Sequence, residues 1–449
     1  MRGDLRQAHV TVVPWNDRPK RFHDILLAAV SAEIGERFIL KALLAMAFLA
    51  SASTARAQSE DLISREIDGA LEGSLWELGP FHLTPQLSLG VGHDSDVFTS
   101  ANSPNPDVIA RAAPGLQAVV PLRNRALLEI HEQLDLVQYR DLDELGGIFN
   151  ATRAGGAAGF RNLMVRVEND FREERTPPSS ELDVPVDQRT NFLTASLNFS
   201  LGWRDELSLE YRNFRVAIRD PELEVEGVPI QSLLDRLEDT YGMRFTRHLT
   251  NETAANFEFF YQVLDFDEDV RDSKAYGGVA GFAFSRTGNV RGGAQLGFKR
   301  IVSNVATQTE FAGLIGALDV QVGLGQRFAL QGLYSRDAQP SVLADNSFSV
   351  ANSYGALLSI YLGPRFFIRP GAVYDENTYP EPVSSVDSQG VPIEAPIIER
   401  SNTYSLTLNY HLTPTWLIGV GGHYSIRHSN SASPVEDRLL VSLELRMEL

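Results

Sequence analysis

The 449-residue chain contains no cysteine. That excludes a disulfide scaffold, a CxxC zinc site, covalently attached haem and thiol catalysis. Long apolar runs are also missing. The longest, residues 42–50, falls well short of the roughly 18 residues a helix needs to cross a bilayer, and mean hydropathy is −0.14. A helical multi-span membrane protein is therefore excluded. Positive charge is scarce: the net charge is −18, and the lysines are Lys20, Lys41, Lys274 and Lys299 alone. With no basic block, the chain repels phosphate, and no nucleic-acid partner is expected.

Motifs for chemistry are equally thin. The nine histidines are dispersed without an HExxH, and no GxSxG occurs. Glycine-rich pieces at 155–160, 277–282 and 292–297 are not followed by a helical pattern, so none can seat a nucleotide phosphate on a helix N-terminus. The acidic stretch 265–269, with Asp272, lacks the glycine and distal glutamate of a calcium loop and reads as solvated. Glu129, His131 and Asp135 would share one face of a strand, but water-facing residues are the default reading there. No enzyme activity, catalytic residue, cofactor or metal is assigned.

What is present emerges from residue order. Arg37 and Lys41 precede the apolar run, and Ala55-Arg56-Ala57 closes it. This is the layout of a bacterial secretory signal over 37–57, cleaved after Ala57. Residues 1–36 are too long and polar for such a signal, and are read as a leader from a start codon placed too far upstream. Without 1–57, which hold eight basic and five acidic residues, the chain carries −21. In 58–79, Ile63, Ile67, Leu71 and Leu75 recur every four positions, as on a short amphipathic helix. Such a segment on the periplasmic side would plug a lumen, meet a periplasmic partner or remain a disordered leader.

From residue 80 to the end the period is two. Leu439, Val441, Leu443, Leu445 and Met447 alternate with Arg438, Leu440, Ser442, Glu444 and Arg446. Tyr404, Leu406, Leu408 and Tyr410 alternate with Ser405, Thr407, Asn409 and His411. A strand sends such sets to opposite faces. Short connectors near 122–124, 161–162, 202–205, 249–251, 287–289, 323–325, 362–364 and 412–415 alternate with longer ones. The longer ones lie near 93–106, 141–147, 175–187, 220–236, 266–272, 302–308, 338–346, 377–398 and 429–434. Eight short and nine long connectors imply eighteen strands with both ends on the short-turn side. An even-stranded transmembrane antiparallel up-and-down β-barrel has this plan, with short periplasmic turns and longer extracellular loops. It closes because lipid offers an open sheet edge no hydrogen bonds. A propeller would repeat a blade motif, and a sandwich does not require connector lengths to alternate. Aromatic residues beside the short turns, among them Phe160, Trp203, Phe328, Phe366, Phe367 and Trp416, would form an interfacial girdle.

The segment Leu83, Pro85, Leu87, Leu89 and Val91 runs into the polar Asp94-Ser95-Asp96, and a Pro114-Gly115-Leu116 strand follows. With the strand plan, this start resembles the bacterial outer-membrane β-barrel porins of the OmpL-like group, some of which accompany exopolysaccharide export. The chain ends in Leu449 rather than the phenylalanine common in such barrels, although in the lipid-facing phase. The resemblance implies a porin-like channel in the bacterial outer membrane. Its partners would be lipid and lipopolysaccharide, the barrel-insertion machinery, and small hydrophilic solutes or polysaccharide. The different alternative is a non-conducting structural or adhesion barrel. Phase nominates Glu129, Asp135, Arg166, Glu168, Glu210, Arg212, Glu258, Arg291, Lys299, Arg438, Glu444 and Arg446 as lumen-lining, with loops 220–236 and 377–398 expected to narrow the passage.

Overall fold

The computed structural model describes residues 58–447 apart from 72–73, 99–104, 123–124, 178–184, 220–223, 226–227, 288, 306–307, 342–345, 387–391 and 431–435. The expected leader and signal, 1–57, lie outside the described residues. Helix α1 (Gln58–Leu71) comes first, then β1 (Trp76–Leu78), β2 (Phe81–Asp94), β3 (Asp107–Leu122), β4 (Ala126–Tyr139), β5 (Gly147–Phe160) and β6 (Leu163–Thr176). Next come β7 (Val186–Ser200), β8 (Asp205–Ile218), the small pair β9 (Glu224–Val225) and β10 (Val228–Pro229), helix α2 (Ile230–Leu234) and β11 (Arg236–His248). The chain continues through β12 (Thr253–Phe266), β13 (Ser273–Thr287), β14 (Val290–Ser303), β15 (Phe311–Leu324) and β16 (Phe328–Pro340). It finishes with β17 (Phe348–Tyr361), β18 (Phe366–Val386), β19 (Pro392–His411), β20 (Trp416–Ser429) and β21 (Glu436–Met447).

Strands β2–β8 and β11–β21 form a closed antiparallel barrel of eighteen, each paired to its neighbours in sequence, and β2 pairs with β21 to shut it. The eight short and nine long connectors fall where alternation puts them. Two boundaries differ. The helix ends at Leu71, so Leu75 is not on it; Leu75 stands 51% exposed just before β1, which turns at Gly79 (φ 65°) into β2. Residues 377–398 are not a loop folded across the passage. Instead β18 and β19 stay paired from Asn377↔Glu399 to Val386↔Pro392, making a hairpin arm that continues the wall.

The outward face is apolar and large: Phe259 is 60% exposed, Leu296 62% and Leu314 59%. Burying one such side chain is worth about 1.5–3 kcal/mol, so a continuous band of them requires an apolar solvent. Among the described residues no helix is long and apolar enough to cross a membrane, and the strands present the apolar band instead. A row of tyrosines follows that band toward the long-loop end. Register aligns Tyr211, Tyr241, Tyr261 and Tyr276, then Tyr334, Tyr354 and Tyr374, then Tyr404 and Tyr424. Their rings lie 5.3 Å apart for Tyr211 and Tyr241 and 5.1 Å for Tyr334 and Tyr354. Charged pairs stand beyond the row, such as Arg400 Nε donating to Glu376 Oε2 at 2.9 Å. The sequence pointed only to the girdle at the short turns. There, Phe366 and Phe367 are successive, so they take opposite faces, and Phe367 shares the inner one with Arg369 and Asn409.

Two pieces of chain rest on the inner face. Helix α1 seats Ile63 (0% exposed) and Ile67 (7%) against Val119, Leu127 and Ala157, inner residues of β3, β4 and β5 near the short turns. At the other end, α2 in the 219–235 connector packs Ile230, Leu233 and Leu234 on Val186, Val216 and Ile218 of β7 and β8. The connector expected to narrow the passage therefore does fold inward.

Candidate channel lining

All twelve nominated residues project from the face opposite the apolar band, because pairing preserves their phase from strand to strand. They are not evenly spread. Most belong to one arc running from β21 through β2–β8 to β11 and β12, and on it opposite charges meet both across and along strands. Arg111 Nε donates to Asp135 Oδ1 at 2.6 Å. Arg153 lies 3.2 Å from Glu168 and 3.0 Å from Asp170, which also accepts from Arg172 Nε at 2.8 Å. Arg446 Nη2 donates to Glu444 Oε2 at 2.6 Å, while the Ser88 hydroxyl donates to the same carboxylate. Arg212 sits 3.0 Å from Glu210, and Arg244 2.6 Å from Glu258. Those that cross strands, Arg111–Asp135, Arg153–Glu168 and Arg244–Glu258, stiffen the wall while keeping its charges wet.

Three nominees have particular settings. Arg166 pairs with Glu66 and thereby pins α1 to the wall. Arg438 holds Asp94, fully buried at the long-loop rim, with Nε 2.9 Å from Oδ1. Lys299 is 8% exposed, and its Nζ donates to the Ala338 carbonyl at 2.7 Å and to Asp337 at 3.1 Å. It spans from β14 to β16 because the β15–β16 ladder stops at Gly316↔Arg336, leaving residues 311–315 and 337–340 outside it. Arg291 donates to Gln321 Oε1 at 2.8 Å. Glu129 makes no ion pair or hydrogen bond among the described residues and faces Gly155 on β5.

Sequence reasoning missed Arg111, Arg153, Arg172 and Arg244, although each sits in the polar phase of its strand. It also could not see that His131 Nε2 reaches Gln86 Oε1 at 3.0 Å across β3. The residue between them is Gly115, where a Cβ would come within 3.2 Å of the Glu132 carbonyl oxygen. The opposite arc is chemically different. On β19 the inner residues are Ser401, Thr403, Ser405, Thr407 and Asn409, and on β17 they include Ser349, Ser353 and Ser359. Among the described residues no cluster of histidine or carboxylate side chains could hold a metal ion.

Solved structures with a similar course include the OpdK outer-membrane protein from Pseudomonas aeruginosa, at 11% identity and a TM-score of 0.47, covering 81% of this chain and 98% of that one. OprD from the same organism gives 11% identity and a TM-score of 0.46, covering 82% and 95%. The FrpB iron transporter from Neisseria meningitidis (F3-3 variant) gives 9% identity and a TM-score of 0.43, covering 82% of this chain but only 64% of the transporter. No curated protein matches the chain in sequence. A family profile does, and it spans residues 76–449, the barrel with its leading strand β1; the chain belongs to the family described as "Putative beta-barrel porin 2".

Proposed function

We propose that the protein is a porin-like diffusion channel of the bacterial outer membrane, without enzymatic activity, that passes small hydrophilic solutes. The observation that carries this reading is the two-sided inner face: an arc of paired charges opposite one rich in hydroxyls and amides. Barrels of 16–18 strands leave an aqueous channel, and such a face keeps it wet while offering a solute hydrogen bonds. Helix α1 packs against β3, β4 and β5, so it narrows the short-turn end from that side.

The test is conductance of the purified full chain in a planar bilayer. Discrete current steps support the channel, and their absence under all voltages and salts favours the structural barrel. An association with exopolysaccharide export is a finer proposal. It is supported by the hydroxyl-rich arc, since sugars exchange hydrogen bonds readily with serine, threonine and asparagine. Block of the current by added oligosaccharide would favour it, and currents indifferent to every sugar tried would count against it.

A further inference from the structure

The outward faces of β4, β5 and β6 break the order that half of the wall obeys, which is apolar band, then tyrosine, then charge. On β4 the outward row reads Leu128, Ile130, Glu132, Leu134 and Leu136, and its apolar members are 40–50% exposed. Glu132 Oε2 accepts the Thr152 hydroxyl of β5 at 2.6 Å. On β6, Asn169 Nδ2 donates to Asn191 Oδ1 of β7 at 3.0 Å. Beyond this polar rung come Leu134, Leu136 and Ile148, the last 69% exposed. No flat lipid boundary suits that order. A level that wets Glu132 leaves these three apolar side chains among headgroups, and a level that buries them puts a carboxylate in hydrocarbon. No tyrosine stands on the outward faces of β3–β7, as on β2, β14, β15 and β21, whereas the neighbouring β8 and β11–β13 carry one each.

We propose that the outward face of β3–β7 is the contact surface between two copies of this chain in the membrane, centred on the Glu132 rung. Two copies inserted with the same orientation meet about an axis along the membrane normal, so each height of the patch faces the same height on the partner. Ile148 and Leu136 project, while a groove of about 430 Å³ between Leu128 and Val167 is floored by Ala154, Gly156 and Ala158. Small residues of this kind let backbones of membrane segments approach closely. Glu132 is an acceptor with one bonded donor, and the Asn150 amide nitrogen donates to nothing among the described residues, so each copy offers what the other needs. The wall is also unfinished here. The β5–β6 ladder ends at Ala151↔Arg172, leaving residues 147–150 and 173–176 outside it. Strands about 4.8 Å apart over a band about 25 Å tall give five strands about 600 Å² per copy, which is enough for a specific contact.

The inference rests on the membrane-barrel reading but not on conduction. Because the chain has no cysteine, single thiols report cleanly. Ile148→Cys and, as a control on the outward face of β15, Leu318→Cys are treated with a short bismaleimide in intact outer membranes. The expected result is a denaturation-resistant species of twice the chain mass from Ile148→Cys and none from Leu318→Cys. Purified wild type in nanodiscs would likewise show a dimeric mass. A monomeric mass, with both thiols reactive to a monofunctional maleimide but neither cross-linked, would overturn the proposal. So would cross-linking of Ile148→Cys to a different protein. A protein that gives no current yet cross-links through residue 148 would sink the channel and leave the interface standing.

Discussion

The inner wall has two arcs of different chemistry. From β21 round to β12, charged side chains pair across strands, and both helices lean on this side, α1 through Val119 and Leu127 and α2 through Val216 and Ile218. From β17 to β20 charges are fewer, with Arg369 on β18 and the Arg427–Glu399 pair toward the long loops, and β19 offers only hydroxyls and an amide between Ser401 and Asn409. The barrel is thus stiffened and narrowed mainly from one side. The hydroxyl-rich side is left to meet whatever passes.

The largest effect is expected from undocking α1. Ile63→Asp with Ile67→Asp places two carboxylates at positions 0% and 7% exposed, and burying them unpaired costs several kcal/mol. The helix should leave the wall while the barrel stays folded, and single-channel conductance should rise. An unchanged conductance, with the barrel shown folded by gel migration before heating, would mean that the path already bypasses the helix.

Next comes selectivity. Arg111→Glu removes the partner of Asp135 and reverses a charge on the charged arc, so the reversal potential in a salt gradient should move toward cations. Thr407→Val on the hydroxyl-rich arc should leave it in place. The shift should be larger at 0.1 M than at 1 M salt, where the Debye length falls from about 10 Å to about 3 Å. Equal shifts from both substitutions would erase the distinction between the arcs.

How much of this was legible beforehand depends on which distance carries the information. Alternation is a two-residue property, so Leu439 to Met447 disclosed a strand, and the connector lengths disclosed eighteen. Residues 377–398 misled because Pro380, Pro382 and Pro396 look like loop residues; beyond the membrane a hairpin needs only its own partner, and Pro382 stands opposite Pro396. The tyrosine row was hidden because Tyr211 and Tyr241 are far apart in sequence and meet only through register. The charged pairs were half visible: phase put Asp135 inside, but nothing in the order of residues assigned Arg111 to it. Within the polar 220–236 connector, Ile230, Leu233 and Leu234 were the signal for an inward helix, too short to show a period.

Lys299 tests whether a nominated lining residue belongs to the passage or to the wall. Its amine is buried against Ala338 and Asp337 at the open end of the β15–β16 ladder. Lys299→Met should lower the temperature of heat-induced unfolding by removing bonds worth about 2 kcal/mol, while the reversal potential stays where it was. A clear change in selectivity would return Lys299 to the lining.

The smallest effect concerns Asp235, which follows α2 and anchors it to the charged side by accepting the Ile218 amide at 2.6 Å. Burial pushes its carboxyl above the usual aspartate range, and nearby Asp267 adds to the rise against the opposing pull of the Ile218 N–H. A raised folded-state value means that ionisation opposes folding. The carboxyl favours the folded state most when protonated, at low pH, and that advantage is lost as pH rises through the raised value. Asp235→Asn keeps an oxygen for Ile218 and removes the charge. At pH 7 it should therefore stabilise the barrel, by no more than about 1 kcal/mol because the site is partly solvated. Near pH 3, below the ordinary aspartate value of about 3.9, the difference should vanish. The check is the midpoint of heat-induced unfolding at both pH values, for variant and wild type side by side. A variant less stable at pH 7 would mean that the attraction of Arg215 outweighs burial, and α2 would then be held by charge as α1 is through Arg166 and Glu66.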